Sequence, residues 1–333
     1  MTKLRSALGT VQAFFRPHSP YCAHFFVTER CNNKCSYCGV WRNPMPELDY
    51  QAQTKIIKAI SDLGVSCLSI TGGEPLLRRD IYDLLNYSSD QGMYTRVTSN
   101  GLMPRESYKR LLMTRIEAFS ISIDGVGASE APWRKIDPRI QESIVYAAEH
   151  RGKKRMTLSC LLHAANVDTV RSLVEWVANT APGIRIFIQP VVTGTGSFRV
   201  EHEERLKTVD VLFDLTRDFP AVVDNLNFFN RCAAEAAATD TYRWGCRAGT
   251  FFFDIKPNGD FWICQDIPTP LNILDPDFVK KWRSFDPQPL IAACAGCTYS
   301  CYLQMQKSFE LKNLAAGLGK LLQIAGLNLS HST

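Results

Sequence analysis

Three closely spaced cysteines lie near the start of this chain of 333 residues. Cys31, Cys35 and Cys38 form a C-x3-C-x2-C pattern directly after a predicted strand. Thiolates are soft ligands that suit zinc, copper(I) or iron–sulfur clusters. Three thiolates are one fewer than the four that fully coordinate a 4Fe–4S cluster, so one iron would stay open to a further ligand. The alternative is a zinc knuckle completed by His24 or by a distant residue.

A second group of five cysteines lies near the other end of the chain. Its members are Cys246, Cys264, Cys294, Cys297 and Cys301. A predicted hairpin presents the first two, and a C-x2-C-x3-C pattern contains the last three. Such an arrangement can supply four ligands to one site, so we expect the first four members to bind one metal centre, with Cys301 as the alternative to either Cys294 or Cys297. A zinc ribbon is the competing interpretation, because four cysteines at this spacing also fit zinc.

The other four cysteines are Cys22, Cys67, Cys160 and Cys232. Free cysteine behaves as a small hydrophobic residue and is often buried. Cys67 and Cys160 fall within predicted strands, which favours this interpretation for them. We therefore predict that these four contribute to the core.

The composition is that of a folded protein, and the lack of a secretion signal leads us to expect a reducing compartment. Hydrophobic residues make up 45% of the chain and charged residues 21%, which excludes a disordered chain. A net charge of +5 is too small to indicate a nucleic-acid partner. No apolar run is long enough for a transmembrane helix, and the basic N-terminus lacks the features of a signal peptide. We expect a cytoplasmic location, where cysteine clusters bind metals more often than they form disulfides.

The elements that must position these cysteines follow a regular alternation. Short β-rich runs are separated by amphipathic helical segments, a pattern that favours a parallel sheet. The predicted strands are 23–28, 67–71, 94–98, 118–123, 155–161 and 184–189, and the predicted helices are 51–63, 81–91, 107–113, 140–151 and 167–179. Six units are too few for a closed eight-stranded barrel, which leaves an open partial barrel or a doubly wound sheet. Ligands are expected at the carboxyl ends of the strands.

The remaining segments suggest further divisions of the chain. A Gly/Thr-rich loop is predicted at 193–197, a helix at 201–218, and a hairpin from Thr250–Ile255 and Asp260–Cys264. Both ends of the chain are amphipathic; we expect them to pack on the surface, with peripheral membrane contact as the second interpretation. The predicted units are 1–22 (amphipathic segment), 23–200 (α/β unit), 201–245 (helical linker), 246–303 (cysteine-rich unit) and 304–333 (amphipathic helix).

The first cysteine motif, with Tyr37 between its last two cysteines, resembles the radical S-adenosylmethionine (SAM) superfamily. In that family the open iron of the 4Fe–4S cluster binds SAM. One electron from the reduced cluster cleaves SAM to a 5′-deoxyadenosyl radical, which abstracts hydrogen from a substrate. The resemblance covers roughly residues 23–200 and implies a partial (βα)6 TIM-like barrel.

Further motifs that resemble this family stand at successive strand ends. They are Gly72-Gly73-Glu74 after the second strand, Ser99-Asn100 after the third, Ser122 and Asp124 at the fourth, and Gln189 at the sixth. The resemblance implies that these residues and Tyr37 bind SAM. The two glycines would allow close backbone approach.

The second cysteine group resembles the C-terminal region called SPASM in its long form and Twitch in its short form. The long form holds two clusters and needs seven or more cysteines. Five are present here, so the resemblance implies one auxiliary 4Fe–4S cluster.

The family resemblance implies an enzyme that needs a low-potential electron donor such as flavodoxin or ferredoxin. The auxiliary cluster favours oxidation of an unactivated C–H bond, by dehydrogenation or hydroxylation. Only 22 residues precede the first strand, too few for a peptide-recognition domain, which favours a small-molecule biosynthetic substrate over a peptide that is cross-linked or epimerised. A non-catalytic zinc or iron–sulfur protein is the alternative of another class.

Aromatic residues near the second cysteine group bear on the size of the substrate. They are Phe228, Phe229, Phe251, Phe252, Phe253, Phe261 and Trp262. Most are expected in the core; any that line a pocket would suit a large apolar substrate such as a tetrapyrrole or an isoprenoid. No catalytic acid or base can be named: Tyr299, Tyr302 and the histidines are candidates without a positional argument.

Overall fold

The computed structural model describes residues 20–42, 44–127, 134–191, 200–239, 245–294, 296–297, 299–307 and 310. The predicted loop 193–197 and nearly all of the two amphipathic end segments lie outside these residues. No helix in the described part of the chain is long and apolar enough to cross a membrane.

Alternating strands and helices make up the first two thirds of the molecule. The strands are β1 (Cys22–Thr28), β2 (Cys67–Gly72), β3 (Tyr94–Ser99), β4 (Ala118–Ser122), β5 (Gly125–Val126), β6 (Lys135–Ile136), β7 (Arg155–Leu162), β8 (Arg185–Pro190), β9 (Phe252–Ile255), β10 (Asp260–Cys264) and β11 (Ile267–Asn272). The helices are α1 (Tyr50–Asp62), α2 (Ile81–Asp90), α3 (Arg105–Met113), α4 (Pro138–His150), α5 (Val170–Thr180), α6 (His202–Asp218), α7 (Asn227–Ala237), α8 (Phe278–Ser284), α9 (Gln288–Ala293) and α10 (Ser300–Lys307).

All six predicted strands of the α/β unit are present, with ends that differ by about one residue. They form a parallel sheet in the order β1-β2-β3-β4-β7-β8, so the predicted α/β class is confirmed. The helix predicted from Val167 begins later, at Val170. Asn166 organises the turn before it, because its side-chain oxygen accepts the backbone N–H of His163 at 2.9 Å.

The cysteine-rich hairpin is an extension of this sheet. β9 pairs in parallel with β1, opposite the side occupied by β2, and β10 and β11 follow antiparallel. Strand β11 was not predicted. The full order β11-β10-β9-β1-β2-β3-β4-β7-β8 leaves an open sheet in the described part of the chain.

One face of the sheet packs against helices and the other faces the interior of the partial barrel. In β7 and β8, buried and partly exposed residues alternate, as expected when only one face is covered. Strand register brings one row of inward residues side by side, here named the interior row. Its members are Asp254, His24, Ser69, Arg96, Ala118 and Arg155, in the order β9-β1-β2-β3-β4-β7.

The predicted aromatic cluster belongs to the core. Phe228 is 6% exposed, and the other five phenylalanines of the set are fully buried. The indole of Trp262 is only partly buried and lies 4.2 Å from the Lys256 ammonium. The six phenylalanines therefore give no support for an apolar substrate pocket. Trp262 is the one member of this set that is partly exposed.

We expect Phe253→Ala to destabilise the protein by about 3–5 kcal/mol, because a fully buried ring that packs on Phe261 at 5.0 Å is lost. Urea unfolding monitored by circular dichroism measures this change. Phe213→Ala is the control, since Phe213 is 40% exposed and its loss should cost less than about 1 kcal/mol. Equal losses in both variants would contradict the assigned core.

Candidate functional site

The loop after β1 places the first three cysteines at the carboxyl edge of the sheet. Cys35 is buried, while Cys31 and Cys38 are partly exposed. The sulfur of Cys31 accepts the backbone N–H of Asn33 at 3.4 Å and the side-chain amide of Asn100 at 3.5 Å. Donors of this kind stabilise a thiolate, which is the form that binds metal.

Asp124 fastens this loop to the sheet. Its carboxylate accepts the Tyr37 hydroxyl at 2.7 Å, the Leu161 backbone N–H at 2.9 Å, and two bonds from Arg134 at 2.7 and 3.0 Å. Burial raises the pKa of Tyr37, so its hydroxyl stays protonated and keeps donating. Asp124 is fully buried, so its charge is used within the protein to hold the loop, β7 and Arg134 together.

Two glycines allow the ends of β1 and β2 to approach closely. A Cβ on Gly72 would lie 1.9 Å from the carbonyl oxygen of Thr28, and one on Gly73 would lie 2.2 Å from that of Arg30. Gly72 also has a positive φ of 144°. The N–H of Gly73 donates to the Thr28 carbonyl at 2.8 Å. Side chains at these positions would displace the start of the cysteine loop.

Glu74 is buried and serves the neighbouring turns. Its carboxylate accepts the backbone N–H of Leu76 at 3.0 Å and that of Asn100 at 2.6 Å, and the Ser99 hydroxyl at 3.2 Å. Burial raises the pKa of Glu74 from 4.5 to about 7, against these donors. The structure thus places Glu74 under the turn that carries Asn100.

The other predicted site residues stand along the same edge. The Ser122 hydroxyl lies 3.1 Å from that of Ser159, its neighbour on β7. Gln189 is partly exposed at the end of β8, and its strand neighbour is Leu161. The fold therefore brings the predicted SAM-side residues to the edge that carries the cysteine loop; their roles toward SAM stay predictions.

The second cysteine group gathers beside the hairpin. Burial raises the pKa of Cys246 to about 11, and the neighbouring Cys294 adds to the rise. Burial likewise raises the pKa of Cys297 to about 12, with Cys246 and Cys294 adding. Burial also raises the pKa of Cys264, where Cys297 contributes. The four predicted ligands are thus neighbours in space.

Cys301 lies near two members of the interior row. Burial raises its pKa to about 12, the Asp254 carboxylate adds to the rise, and the Arg96 guanidinium opposes it. Asp254 and Arg96 are both members of that row. The surplus thiol is thus near both the interior row and Cys297.

The donor chemistry of both cysteine groups fits iron–sulfur clusters. No group of three or more cysteine, histidine or acidic side chains in the described residues is packed closely enough to hold one metal ion. In a cluster each cysteine binds its own iron, so the sulfurs need not converge on one atom. Soft thiols alone, with N–H donors on Cys31, suit such clusters.

The sequence interpretation missed a buried polar group at the junction of β1 and β9. Asp254 accepts the Tyr302 hydroxyl at 2.8 Å, and its other oxygen lies 3.3 Å from Nδ1 of His24. The Tyr302 ring stacks on Phe252 at 4.5 Å. His24 and Asp254 are polar residues within otherwise apolar strands, which was the available signal, but their strand pairing could not be read from it.

We expect Gly73→Ala to lower the iron bound at the first cysteine group, because its Cβ would displace the Arg30 backbone just before the loop. Iron and sulfide analysis after anaerobic reconstitution measures this loss. Gly39→Ala is the matched control within the loop, since its Cβ would meet nothing within 4 Å. Equal iron contents in the two variants would contradict the steric explanation.

We expect the stability of the wild type to fall as pH rises from 5 to 8, relative to Glu74→Gln. A carboxyl group whose pKa is raised in the folded state keeps a proton that the unfolded chain has released, so folding is favoured at the lower pH. The difference should reach about 2–3 kcal/mol. Urea unfolding across this pH range measures it, and parallel pH profiles would contradict it.

Comparison with known proteins finds a matching family model and several relatives. The model of the radical SAM superfamily matches residues 25–177. AdoMet-dependent heme synthase of Methanosarcina barkeri is 30% identical over 304 residues, which cover 82% of this chain and 87% of that protein. Mitochondrial GTP 3′,8-cyclase of Arabidopsis thaliana is 25% identical over 75% of this chain and 68% of that protein. Fe-coproporphyrin III synthase of M. barkeri is 25% identical over 62% of this chain and only 55% of that protein.

Solved structures share the fold at lower identity. SuiB of Streptococcus suis, bound to S-adenosylmethionine, has a TM-score of 0.61 and 18% identity, covering 86% of this chain and 72% of that chain. The anSMEcpe structure with bound AdoMet and Cp18Cys peptide has a TM-score of 0.58 and 13% identity, covering 92% and 99%. Together with the heme synthase match across most of both chains, these comparisons show that the protein belongs to the radical SAM superfamily.

Proposed function

We propose that this protein is a radical SAM oxidoreductase that oxidises an unactivated C–H bond of a tetrapyrrole intermediate. The observation that carries the proposal is the placement of two cysteine groups on one sheet. The first follows β1, and Cys264 of the second ends β10 in the hairpin joined to β1 through β9. β10 runs antiparallel to β9, so Cys264 lies toward the amino end of β1 and the first group at its carboxyl end; a substrate inside the partial barrel would lie between the two groups.

Cys31, Cys35 and Cys38 would hold the SAM-binding 4Fe–4S cluster. When bound, the cluster and SAM supply a 5′-deoxyadenosyl radical that abstracts hydrogen from the substrate. The chain's contribution is to shape this edge: Asn100 donates to the Cys31 sulfur, and Asp124 holds Tyr37 and thereby the loop.

The SAM contacts divide into two kinds. Tyr37 in the cysteine loop, together with Asn100, Ser122 and Gln189 at the strand ends, would lie beside SAM. Gly72 and Gly73 allow the ends of β1 and β2 to approach closely at this edge. The carboxylates of Glu74 and Asp124 already accept several donors within the protein. We propose that these two acids act on SAM by positioning Ser99, Asn100 and Tyr37.

Cys246, Cys264, Cys294 and Cys297 would hold one auxiliary cluster within the unit 246–303. After loss of a hydrogen atom, oxidation of the substrate requires that a further electron and a proton leave. The cluster held by the second cysteine group would accept that electron. A reduced flavodoxin or ferredoxin would supply the electron that starts each turnover.

The tetrapyrrole substrate is supported by two relatives. The names of the heme synthase and the Fe-coproporphyrin III synthase both refer to iron tetrapyrroles. The heme synthase match covers 82% of this chain. Any continuous stretch of that length includes Cys246 and Cys264, so the similarity extends into the second cysteine group. A peptide is the second candidate, because SuiB is also known bound to its precursor peptide SuiA, but 18% identity supports the fold alone.

We expect the reconstituted protein to bind about eight irons and to cleave SAM when dithionite is present. Cys35→Ala should abolish cleavage and leave about four irons. Cys264→Ala should also leave about four irons, yet keep cleaving SAM while losing substrate oxidation. Iron analysis and chromatography of 5′-deoxyadenosine measure these changes, with Fe-coproporphyrin III as the substrate and mass spectrometry of the product.

Cys232→Ala is the matched control. Cys232 belongs to neither cysteine group and packs against the hydrophobic core. It should keep all eight irons and full turnover. SAM cleavage by Cys35→Ala at the wild-type rate would refute the first site. Turnover with a peptide, but none with the porphyrin, would favour the peptide-modifying alternative.

A further inference from the structure

Arg96 occupies the middle of the interior row. It lies on the inward face of β3, between Ser69 on β2 and Ala118 on β4. Its side chain is partly buried, and its one hydrogen bond within the described residues runs from Nε to the Ser69 hydroxyl at 3.0 Å. The two terminal nitrogens of its guanidinium are therefore available to another partner.

Three other cations of the barrel and its carboxyl edge are paired with carboxylates. Arg134 binds Asp124, Arg155 binds Asp224 at 3.0 Å, and the ammonium of Lys256 lies 3.6 Å from Glu29. In the part of the chain that the structure describes, no carboxylate lies within 4.0 Å of Arg96. Arg96 therefore differs from these three cations.

The acid that shares the interior row is committed elsewhere. Asp254 accepts from Tyr302 and faces His24. It stands three strands from Arg96, which is about 14 Å between backbones. Asp254 therefore could not turn toward Arg96 without breaking its contacts at the β1–β9 junction, and Glu117, just before β4, already accepts the Thr95 backbone N–H at 2.8 Å.

The other neighbours of Arg96 are mostly uncharged at neutral pH. Burial raises the pKa of Tyr94 to about 12 and that of Cys301 to about 12. The hydrogen bond from Cys22 lowers the pKa of Cys67, and burial opposes that fall, so the Cys67 thiolate is the competing counterion. A partly buried cation without a counterion is costly to the folded protein.

We propose that Arg96 binds a carboxylate of the substrate and so sets which bond faces the cysteine loop. A guanidinium offers two parallel donors, which match a carboxylate. Arg96 lies four residues before Asn100, or about 13 Å below the strand edge, so an anchored substrate would extend from Arg96 toward that edge. The inference rests on the proposed tetrapyrrole function, because coproporphyrin carries carboxylates on its rim.

The test uses the anaerobically reconstituted protein and three probes: coproporphyrin III, its tetramethyl ester and pyrophosphate. Arg96→Met should weaken binding of the tetra-acid about 10- to 100-fold and leave that of the ester unchanged, because one charge-assisted interaction is lost. Arg96→Lys should weaken binding of the tetra-acid less than Arg96→Met does, because lysine keeps the positive charge. Fluorescence titration measures porphyrin binding, and thermal shift measures pyrophosphate binding.

Arg155→Met is the matched control on the same row, and it should bind the tetra-acid as the wild type does. Thermal unfolding without ligand separates a binding role from a structural one. Arg155→Met should lower the melting temperature, because the buried Asp224 then loses one of its two arginine partners and keeps only Arg185. Arg96→Met should leave the melting temperature unchanged or raise it.

Each remaining outcome decides between the hypotheses. A melting temperature that falls in Arg96→Met as in Arg155→Met would overturn the proposal and indicate a structural pairing such as that with Cys67. Equal losses of acid and ester binding would also overturn it. If the wild type binds neither porphyrin, the tetrapyrrole function fails. In that case, a rise in melting temperature on adding pyrophosphate that depends on Arg96 would show that Arg96 forms an anion site for phosphate groups. If pyrophosphate does not change the melting temperature, the anion site itself is overturned.

Discussion

The parallel pairing of β9 with β1 is the contact on which the rest of the site depends. β1 carries the first cysteine loop at its carboxyl end and pairs with β2 on its other side. Through β9 the hairpin with the second cysteine group becomes part of the same sheet. Without this pairing the two groups would belong to separate units, and Asp254 would not meet His24. The pairing is stabilised by complete burial of β9, whose four residues are all inaccessible to solvent.

Charge inside the partial barrel is distributed unevenly because burial makes unpaired charges costly. Asp124 holds the cysteine loop through Tyr37 and is neutralised by Arg134. Asp254 is held by Tyr302 at the β1–β9 junction. Both acids therefore serve the framework, whereas Arg96 keeps donors that face the interior. This asymmetry is the reason for proposing an anionic substrate and not a cationic one.

Much of the fold could be predicted because each βα unit is a local pattern. Apolar strands such as Cys67–Gly72 and amphipathic helices such as Ile81–Asp90 are recognised within a short window of sequence. Parallel strands also place their carboxyl ends at one edge, so motifs far apart in sequence could be assigned to one site. A short stretch of sequence does not reveal which distant segments pair. For that reason the hairpin was predicted as a separate unit, and strand β11 was not predicted.

The sequence by itself determined the thiol chemistry, through the spacing of Cys31, Cys35 and Cys38, and the α/β architecture, through its alternating periods. Only the tertiary structure decided which side chains share the interior. Glu74 and Asp124 were predicted to bind SAM at the strand ends. In the structure their carboxylates accept hydrogen bonds from backbone and side-chain donors of the protein itself. Arg96 belongs to no motif, and its position beside Ser69 comes from strand register. The reason is physical: composition and spacing set what a residue can do, whereas non-local strand pairing sets which partners it meets.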